Sequence, residues 1–409
     1  MSSDDRAEIL APPTVRLGPL RWLKENLFST WYNGLFTVIS LALVYFLLSS
    51  VLHWAITQAR WAVIPANIRL FLVGPYPGEQ VMHAWGDQVW RVWLSLCIMT
   101  FLVGWSGGLW KGLVRQIAAV VAGVNLLLVF LPVSSQTRGW LLISLAAAVV
   151  GYLLGHLGRG AKRWRRAAIA GWLLSFFIII LLLRGFTDFS LLPRVETTQW
   201  GGLLLTFLLA IFGIVASFPL GIFLALGRRS SLPVVRSFSI LYIEIVRGVP
   251  LVTILFMASI MLPLLLPGNW RLDKVLRAVI GITLFSSAYM AENVRGGLQS
   301  VPQGQIDAAQ ALGLSGPLTT LLIVLPQALR AVIPAIVGQF ISLFKDTSLV
   351  VIIGLLDLLN IGRSVLSNPD WLGLAREVFL FAAVIYWVFS YSMSYASRRI
   401  EQALGVGER

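Results

Sequence analysis

The chain is short of charge. Of its 409 residues, 12% are Asp, Glu, Lys or Arg, about half the share of an ordinary soluble domain. With 57% hydrophobic residues and a mean hydropathy of +0.82, that shortage argues against a water-soluble globule and for a polytopic membrane protein. Acids are scarcer than bases: 18 Asp+Glu stand against 32 Lys+Arg, a net charge of +14. In a soluble protein such an excess would suggest nucleic acid. Between apolar runs it reads as basic cytoplasmic loops beside anionic lipid, so membrane lipid is an expected partner and nucleic acid is not.

Cysteine is nearly absent. Cys97 is alone and lies in an apolar run, which excludes an intrachain disulfide and a thiolate cluster and leaves a small hydrophobe. The three histidines, His53, His83 and His156, share no metal-ligand spacing, and no metal site is expected. The phosphate loop G-x-x-x-x-G-K-[ST] is missing. Gly104-Trp-Ser-Gly-Gly-Leu-Trp-Lys111 brings a lysine near glycines at the wrong spacing, so ATP must be hydrolysed by another chain if it is used at all. No Ser-His-Asp order and no paired carboxylates suggest an enzyme within the membrane. Residues 1–26 mix Asp4, Asp5 and Glu8 with Arg16, Arg21 and Lys24. They read as a cytoplasmic tail rather than a cleaved signal peptide, because the apolar run that follows is long enough to span.

Long apolar runs are plentiful. Ten spans are expected, over residues 35–53, 89–107, 117–133, 140–157, 167–183, 203–226, 240–265, 279–299, 332–358 and 378–395, each of roughly membrane-crossing length. Those around Tyr242 and Lys345 contain charges and Pro/Gly punctuation, so they need not be simple helices. Lys and Arg mark alternate loops: Arg16, Arg21 and Lys24; Lys111 and Arg115; Arg159, Lys162, Arg163, Arg165 and Arg166; Arg228, Arg229 and Arg236; Arg398 and Arg399. The alternation places these loops and both termini on the cytoplasmic side. The loop with Arg271, Asp273, Lys274 and Arg277 goes against the trend. Trp31, Trp90, Trp140 and Trp200 lie near span ends, as interfacial anchors do.

The chain divides near residues 186–198. Before this point the spans hold almost no ionisable residues, and a scaffold role is expected. After it, Glu244, Arg247, Glu292, Arg295, Lys345 and Asp346 lie inside or beside apolar runs, where a charge needs a partner, water or the interface. The working half is therefore the C-terminal half. Expected boundaries are a tail over 1–26, a five-helix extension over 27–198, a five-helix core over 199–399 and a tail over 400–409.

Between the eighth and ninth spans the chain reads Ser300-Val-Pro-Gln-Gly-Gln-Ile-Asp307-Ala308-Ala309-Gln-Ala-Leu-Gly313-Leu-Ser-Gly-Pro-Leu and continues to Ile323-Val-Leu325-Pro326. Pro302 and Gly304 should break the preceding helix, Asp307 should support the start of a short new one, and Gly313 should let the chain turn after it. Residues 300–326 resemble the EAA coupling loop of ABC importer permeases: an acid, two alanines, a glycine four residues on, then Ile-x-Leu-Pro. Asp307 replaces the usual glutamate. Thr206, the 242–251 segment Tyr-Ile-Glu-Ile-Val-Arg-Gly-Val-Pro-Leu, the segments 288–302 and 340–349, and the loop together resemble polar amino-acid permeases over about residues 200–399. The long N-terminal half is similar to the extended permease subunits of general L-amino-acid importers.

That resemblance implies an all-α polytopic fold with a type I importer core. It implies bacterial inner-membrane location and alternating-access import of L-amino acids. It also implies a short coupling helix, with Asp307, Ala308, Ala309 and Gly313, that docks in a groove of the ATPase subunit. The implied partners are an ABC ATPase pair that binds ATP and Mg, a second permease subunit (a related chain in a heterodimer), and a periplasmic or lipid-anchored amino-acid-binding protein. No cofactor is expected in this chain. A zwitterionic substrate needs an acceptor for its ammonium, and Glu292 is the candidate; its i, i+3 spacing puts it on one helix face with Arg295. Lys345, Asp346, Thr347 and Ser348 form a candidate second polar wall. Glu244 and Arg247 repeat the i, i+3 spacing and read as structural, before a bend at Gly248-Val-Pro250. An ion-coupled secondary transporter is the alternative, with Glu292 and Asp346 as its intramembrane carboxylates; such a transporter has no use for the Asp-Ala-Ala loop.

Overall fold

A computed structural model describes residues 18–76, 88–130, 135–186, 192–265 and 272–405. His83, Arg16, Asp188 and Arg271 lie outside them, as does the far N-terminal tail. Contacts divide the chain at Arg60 into two units.

The first unit holds α1 (Pro19–Leu27) and α2 (Trp31–Thr57). Thr30 caps α2 by accepting from the amide of Asn33 at 3.4 Å, and the Thr37 hydroxyl donates to the Leu27 carbonyl at 2.8 Å. These two bonds fix the turn between the helices. Within its unit α2 buries no residue, so its apolar surface is left for lipid or another membrane protein.

The second unit begins with α3 (Val63–Ala66) and α4 (Ile68–Val73). Four helices follow: α5 (Trp90–Leu109), α6 (Leu113–Val129), α7 (Ser135–Leu157) and α8 (Lys162–Arg184). The core then runs through α9 (Gly202–Arg228), α10 (Pro233–Gly248), α11 (Leu251–Leu265), α12 (Lys274–Ser300) and α13 (Gln303–Ala311). It ends with α14 (Gly316–Thr319), α15 (Leu325–Ala331), α16 (Ile333–Asp346), α17 (Leu358–Val365) and α18 (Ala375–Leu404).

Among the described residues eight helical stretches are long and apolar enough to cross a membrane, α16 counting together with the 3-10 turn that follows it to Ile353. α10 and α11 add a broken span, bent by 109°, at the Gly248-Val-Pro250 stop where proline removes a helical donor. The 17-residue apolar helix α6 covers residues 117–129 of the remaining expected span and is shorter than the membrane-crossing helices. The described residues thus give eight such helices and one broken span, against ten expected, and each expected run is helical over most of its described length. The ninth is not a single helix: α16 passes into a tighter 3-10 segment, Thr347–Ile353, and residue 358 already opens α17.

α5 and α7 are the closest pair. A side chain at Gly104 or Gly108 would run into the carbonyl oxygen of Ala148 or Tyr152, and one at Gly151 or Gly155 into that of Phe101 or Trp105. Small residues let two membrane helices touch backbone to backbone. A buried polar link crosses the same bundle: Asn125 donates to the Ser144 hydroxyl at 2.7 Å, and the Thr100 hydroxyl donates to the Ser144 carbonyl at 3.1 Å. Cys97 is buried on α5, in the small-hydrophobe role expected of it.

The stretch before α5 is not only a connector. Val63 and Phe71 are fully buried against Leu358, Ile361 and Val378 of the core. The Tyr76 hydroxyl donates to the Leu183 carbonyl at 2.8 Å, and the buried Arg91 donates through Nη1 to the Pro193 carbonyl at 2.9 Å. Trp200 joins this region. It is 4% exposed among Val73, Tyr76, Leu183 and Leu208, so it is a core residue and not an interfacial anchor. Trp31, by contrast, is 82% exposed at the start of α2. In the exceptional basic loop Asp273 caps α12 by accepting from the Val275 amide at 2.8 Å, and Arg277 donates to the Ser259 carbonyl.

Candidate coupling helix and charged cluster

The chain leaves α12 in an extended conformation at Val301 and Pro302, and α13 starts at once at Gln303. Gly304 is therefore inside the new helix rather than before it. Asp307 falls in the second turn, not at the N-terminus, and accepts from Gln303 Nε2 at 3.0 Å. Because Gln303 is the first helical residue, Asp307 is one turn too late to act on the N-terminal amides. Asp307 and Ala308 are exposed while Ala309 is 4% exposed. Ile306 packs on a cluster of Ala225, Ile243, Val294 and Leu298. One face of α13 is thus anchored to the core and the other is presented.

The end of α13 is a Schellman motif. The Gly313 amide donates to the Gln310 carbonyl at 2.9 Å and the Leu314 amide to the Ala309 carbonyl at 3.1 Å, with Gly313 at φ +81°. The two bonds satisfy carbonyls that the helix end would otherwise leave open. Just before the motif's glycine, Leu312 is 84% exposed.

α9, α10 and α12 bring five charges together. Glu292 Oε1 accepts from Arg295 Nε at 2.6 Å. Its Oε2 lies 3.4 Å from Arg247 and 3.5 Å from Arg228, is buried and takes no hydrogen bond. Arg228 also reaches Glu244 at 3.0 Å, and Arg295 donates to Gln299 at 2.8 Å. The Arg247 guanidinium stands 5.7 Å above the Tyr289 ring. Glu244 and Arg247, spaced as an i, i+3 pair, each take a partner from a different helix. Three cations face two carboxylates; Glu244 is 54% exposed and the other four side chains 21–34%, so none is sealed. Arg228, which the sequence offers only as a loop charge, sits within this cluster; its signal is its place at the last residue of an apolar run.

The second set of expected residues lies elsewhere. Lys345 is exposed in the last turn of α16, and the Ser342 hydroxyl approaches Asp346 at 3.5 Å. Thr347 is fully buried and donates to the Phe344 carbonyl at 2.7 Å; the Ser348 carbonyl accepts from Asn360 at 2.9 Å. Thr347 and Ser348 thus border a buried polar network centred on Asp357. That carboxylate is 0% exposed. It accepts from the amides of Leu359 and Asn360 at 3.1 and 3.2 Å, from the Tyr386 hydroxyl at 2.8 Å, and from the Asn360 side chain. Thr206 accepts from the next amide, Leu358, at 3.1 Å. Asp357 was legible as a lone acid between leucine pairs, with Asn360 three residues on.

Relatives place this arrangement. Residues 217–406 match the family described as binding-protein-dependent transport system inner membrane component. The chain is 39% identical to the inner membrane amino-acid ABC transporter permease protein YhdY of Escherichia coli strain K12, over 94% of this chain and 93% of that one. It is 36% identical to the glutamate/glutamine/aspartate/asparagine transport system permease protein BztC of Rhodobacter capsulatus, over 98% and 97%. A shorter relative, the probable glutamine ABC transporter permease protein GlnP of Bacillus subtilis, is 38% identical over 49% of this chain and 91% of its own length. With full-length identity at this level, the chain belongs to the binding-protein-dependent transport inner membrane components, among the amino-acid ABC transporter permeases.

Proposed function

We propose that this chain is the permease subunit through which an ABC importer moves L-amino acids into the cytoplasm. The observation that carries the reading is the match to amino-acid permeases along nearly the whole chain, joined to a short, capped helix that presents Asp307, Ala308 and the Gly313 turn. A family of this kind works with ATPase and binding-protein partners. The ATPase pair binds ATP and Mg, α13 docks on it, and movement of α13 is passed to α12 and the charged cluster. Residues 199–399 act as the translocating core and residues 27–198 as an extension; a relative that matches only about half of this chain supports that division. The second permease subunit is a related chain, and an amino-acid-binding protein delivers substrate from outside.

Glu292 is the proposed ammonium partner. Its Oε1 is held by Arg295 while Oε2 has no hydrogen bond, so separation of α9 and α10 from α12 would offer that oxygen to a substrate. Lys345, Asp346, Thr347 and Ser348 are the proposed second wall. The orientation with both termini in the cytoplasm rests on the loop charges.

Purification of the tagged chain with its partners, followed by uptake of labelled amino acids into vesicles, tests the reading. Uptake should require the binding protein and ATP and persist with ion gradients collapsed. Uptake that needs an ion gradient and ignores ATP would establish the secondary-transporter alternative instead.

A further inference from the structure

Residues 88–186 contain no Asp or Glu, and seven of their ten Lys and Arg are gathered at one end of the α5–α8 bundle. Lys111 and Arg115 follow α5, Arg159 follows α7, and Lys162, Arg163, Arg165 and Arg166 open α8. The helix ends meet in space. Arg159 Nε donates to the Gly108 carbonyl at 2.6 Å, Trp164 meets Trp105 edge-on at 6.0 Å, and the Arg115 guanidinium stands 6.0 Å from the Tyr152 ring centroid. At the opposite end are Arg138, Arg184 and the buried Arg91.

The basic end works against its own stability. Cations in the first turns of a helix oppose the macrodipole, and like charges at i, i+3 and i, i+4, such as Lys162 with Arg165 and Arg166, repel. The four α8 cations are exposed. Arg159 Nη2 is buried and has no hydrogen-bond partner. An anion supplied from outside would relieve the exposed cations of both the dipole and their mutual repulsion. Directly beside the patch the bundle turns apolar and exposed: Leu157 is 80% exposed, Ile169 54% and Ile117 43%. Cationic end and greasy flank together match a phospholipid, with its anionic headgroup and acyl chains, better than a free anion.

We propose that this end of the bundle is a docking site for anionic phospholipids, with Arg163, Arg165 and Arg166 as its headgroup-binding centre. The bound lipids neutralise the start of α8 and hold the extension in the leaflet that carries negative charge, which is the cytoplasmic one in the orientation proposed above. The site is independent of which substrate the importer carries.

The test uses the assembled importer in nanodiscs of phosphatidylcholine alone or mixed with phosphatidylglycerol. Unfolding of the native complex should occur several degrees higher in the mixed discs, and salt should erode that increment. The triple variant Arg163→Gln/Arg165→Gln/Arg166→Gln should lose most of the increment while unfolding normally in phosphatidylcholine. Lys111, Arg115, Arg159 and Lys162 remain in that variant to preserve the orientation. An equal increment in the variant, or none in the parent, overturns the proposal. Glycerol phosphate that reproduces the increment in phosphatidylcholine discs also overturns it, by making the site one for a soluble anion. If the triple variant does not accumulate, Arg165→Gln and the salt series on the parent decide; an increment indifferent to both sinks the proposal.

Discussion

The Leu314 amide reaches back to the Ala309 carbonyl across 3.1 Å, closing α13 around Gly313 at φ +81°. No atom lies within 4 Å of where a Gly313 side chain would begin. The demand on this residue is therefore conformational and not steric. Gly313→Ala should cost about 1–2 kcal/mol locally by fraying the last turn, which leaves Leu312 and the Ala309 face less fixed. Assembly should survive, and ATP hydrolysis should become less responsive to substrate. Gly313→Arg adds a bulky cation on the presented side and should uncouple more. Normal substrate-stimulated hydrolysis and uptake in both variants would remove Gly313 from the coupling role.

Glu292 is the carboxylate shared by α9, α10 and α12 through Arg228, Arg247 and Arg295. Glu292→Gln keeps its shape and removes its charge. If Glu292 receives the substrate ammonium, transport should weaken, with assembly and basal ATP hydrolysis intact. If its role is to hold the arginines, three cations would face Glu244 alone, and thermal stability should fall before transport is measured. A partly exposed charged pair of this kind contributes on the order of 1 kcal/mol after solvent screening, so a modest loss of melting temperature with unchanged transport affinity and rate would place Glu292 in the structural class.

Orientation is a separate question with a direct answer. In a Cys97→Ser background, Gly405→Cys and Ser2→Cys should resist an impermeant thiol reagent applied from outside, whereas Pro75→Cys should react. Labelling at either tail would reverse the assigned sides.

Much of the fold was legible because membrane spans announce themselves by run length. Among the described residues eight of the expected runs, and a ninth bent at Gly248-Val-Pro250, hold helices long and apolar enough to cross a membrane, while α6 in the remaining run is shorter. What escaped was whatever depends on neighbours from other helices. The i, i+3 spacing of Glu244 and Arg247 suggested a local pair, yet both are held across helices, because α9, α10 and α12 converge there. The short helices α3, α4 and α17 are too brief to stand out by periodicity, and their burial comes from packing on one another and on α9 and α18. Trp200 looked like an anchor by position but is enclosed by residues from three distant stretches. Asp307 was displaced by one turn because the helix starts at Gln303, directly after the extended Pro302 cap.

The extension makes a sharper packing prediction. Side chains at Gly104 and Gly151 would strike the backbone oxygens of Ala148 and Phe101, and backbone cannot swing aside. Gly104→Leu or Gly151→Leu should force α5 and α7 apart, at a cost of about 3 kcal/mol or more. Gly123→Leu on α6 meets open space and should be tolerated. Membrane-inserted yield and melting temperature check this. Equal yields for all three variants would show that the backbone contact between α5 and α7 is not needed.

The Asp357 network yields the last prediction. Its carboxylate is 0% exposed, and the Tyr386 hydroxyl supplies one of its bonds at 2.8 Å. Tyr386→Phe removes that donor without changing the ring, which packs against Phe344 at 5.3 Å. A buried charged acceptor that loses a partner costs about 1.5–3 kcal/mol. The Leu359 amide still holds the same oxygen at 3.1 Å, so the loss should fall at the lower end of that range. Asp357→Ala should cost more. It strips the cap from α17, frees the Asn360 side chain, and loosens the contact of α17 with α4 and α18. Asp357→Asn should be intermediate: one oxygen can still cap, but the amide nitrogen would face a backbone donor. Thermal unfolding of the assembled complex should therefore rank parent, Tyr386→Phe, Asp357→Asn and Asp357→Ala in falling order. If Asp357→Ala instead matches the parent in stability but abolishes uptake, Asp357 belongs to the transport path and its structural assignment fails.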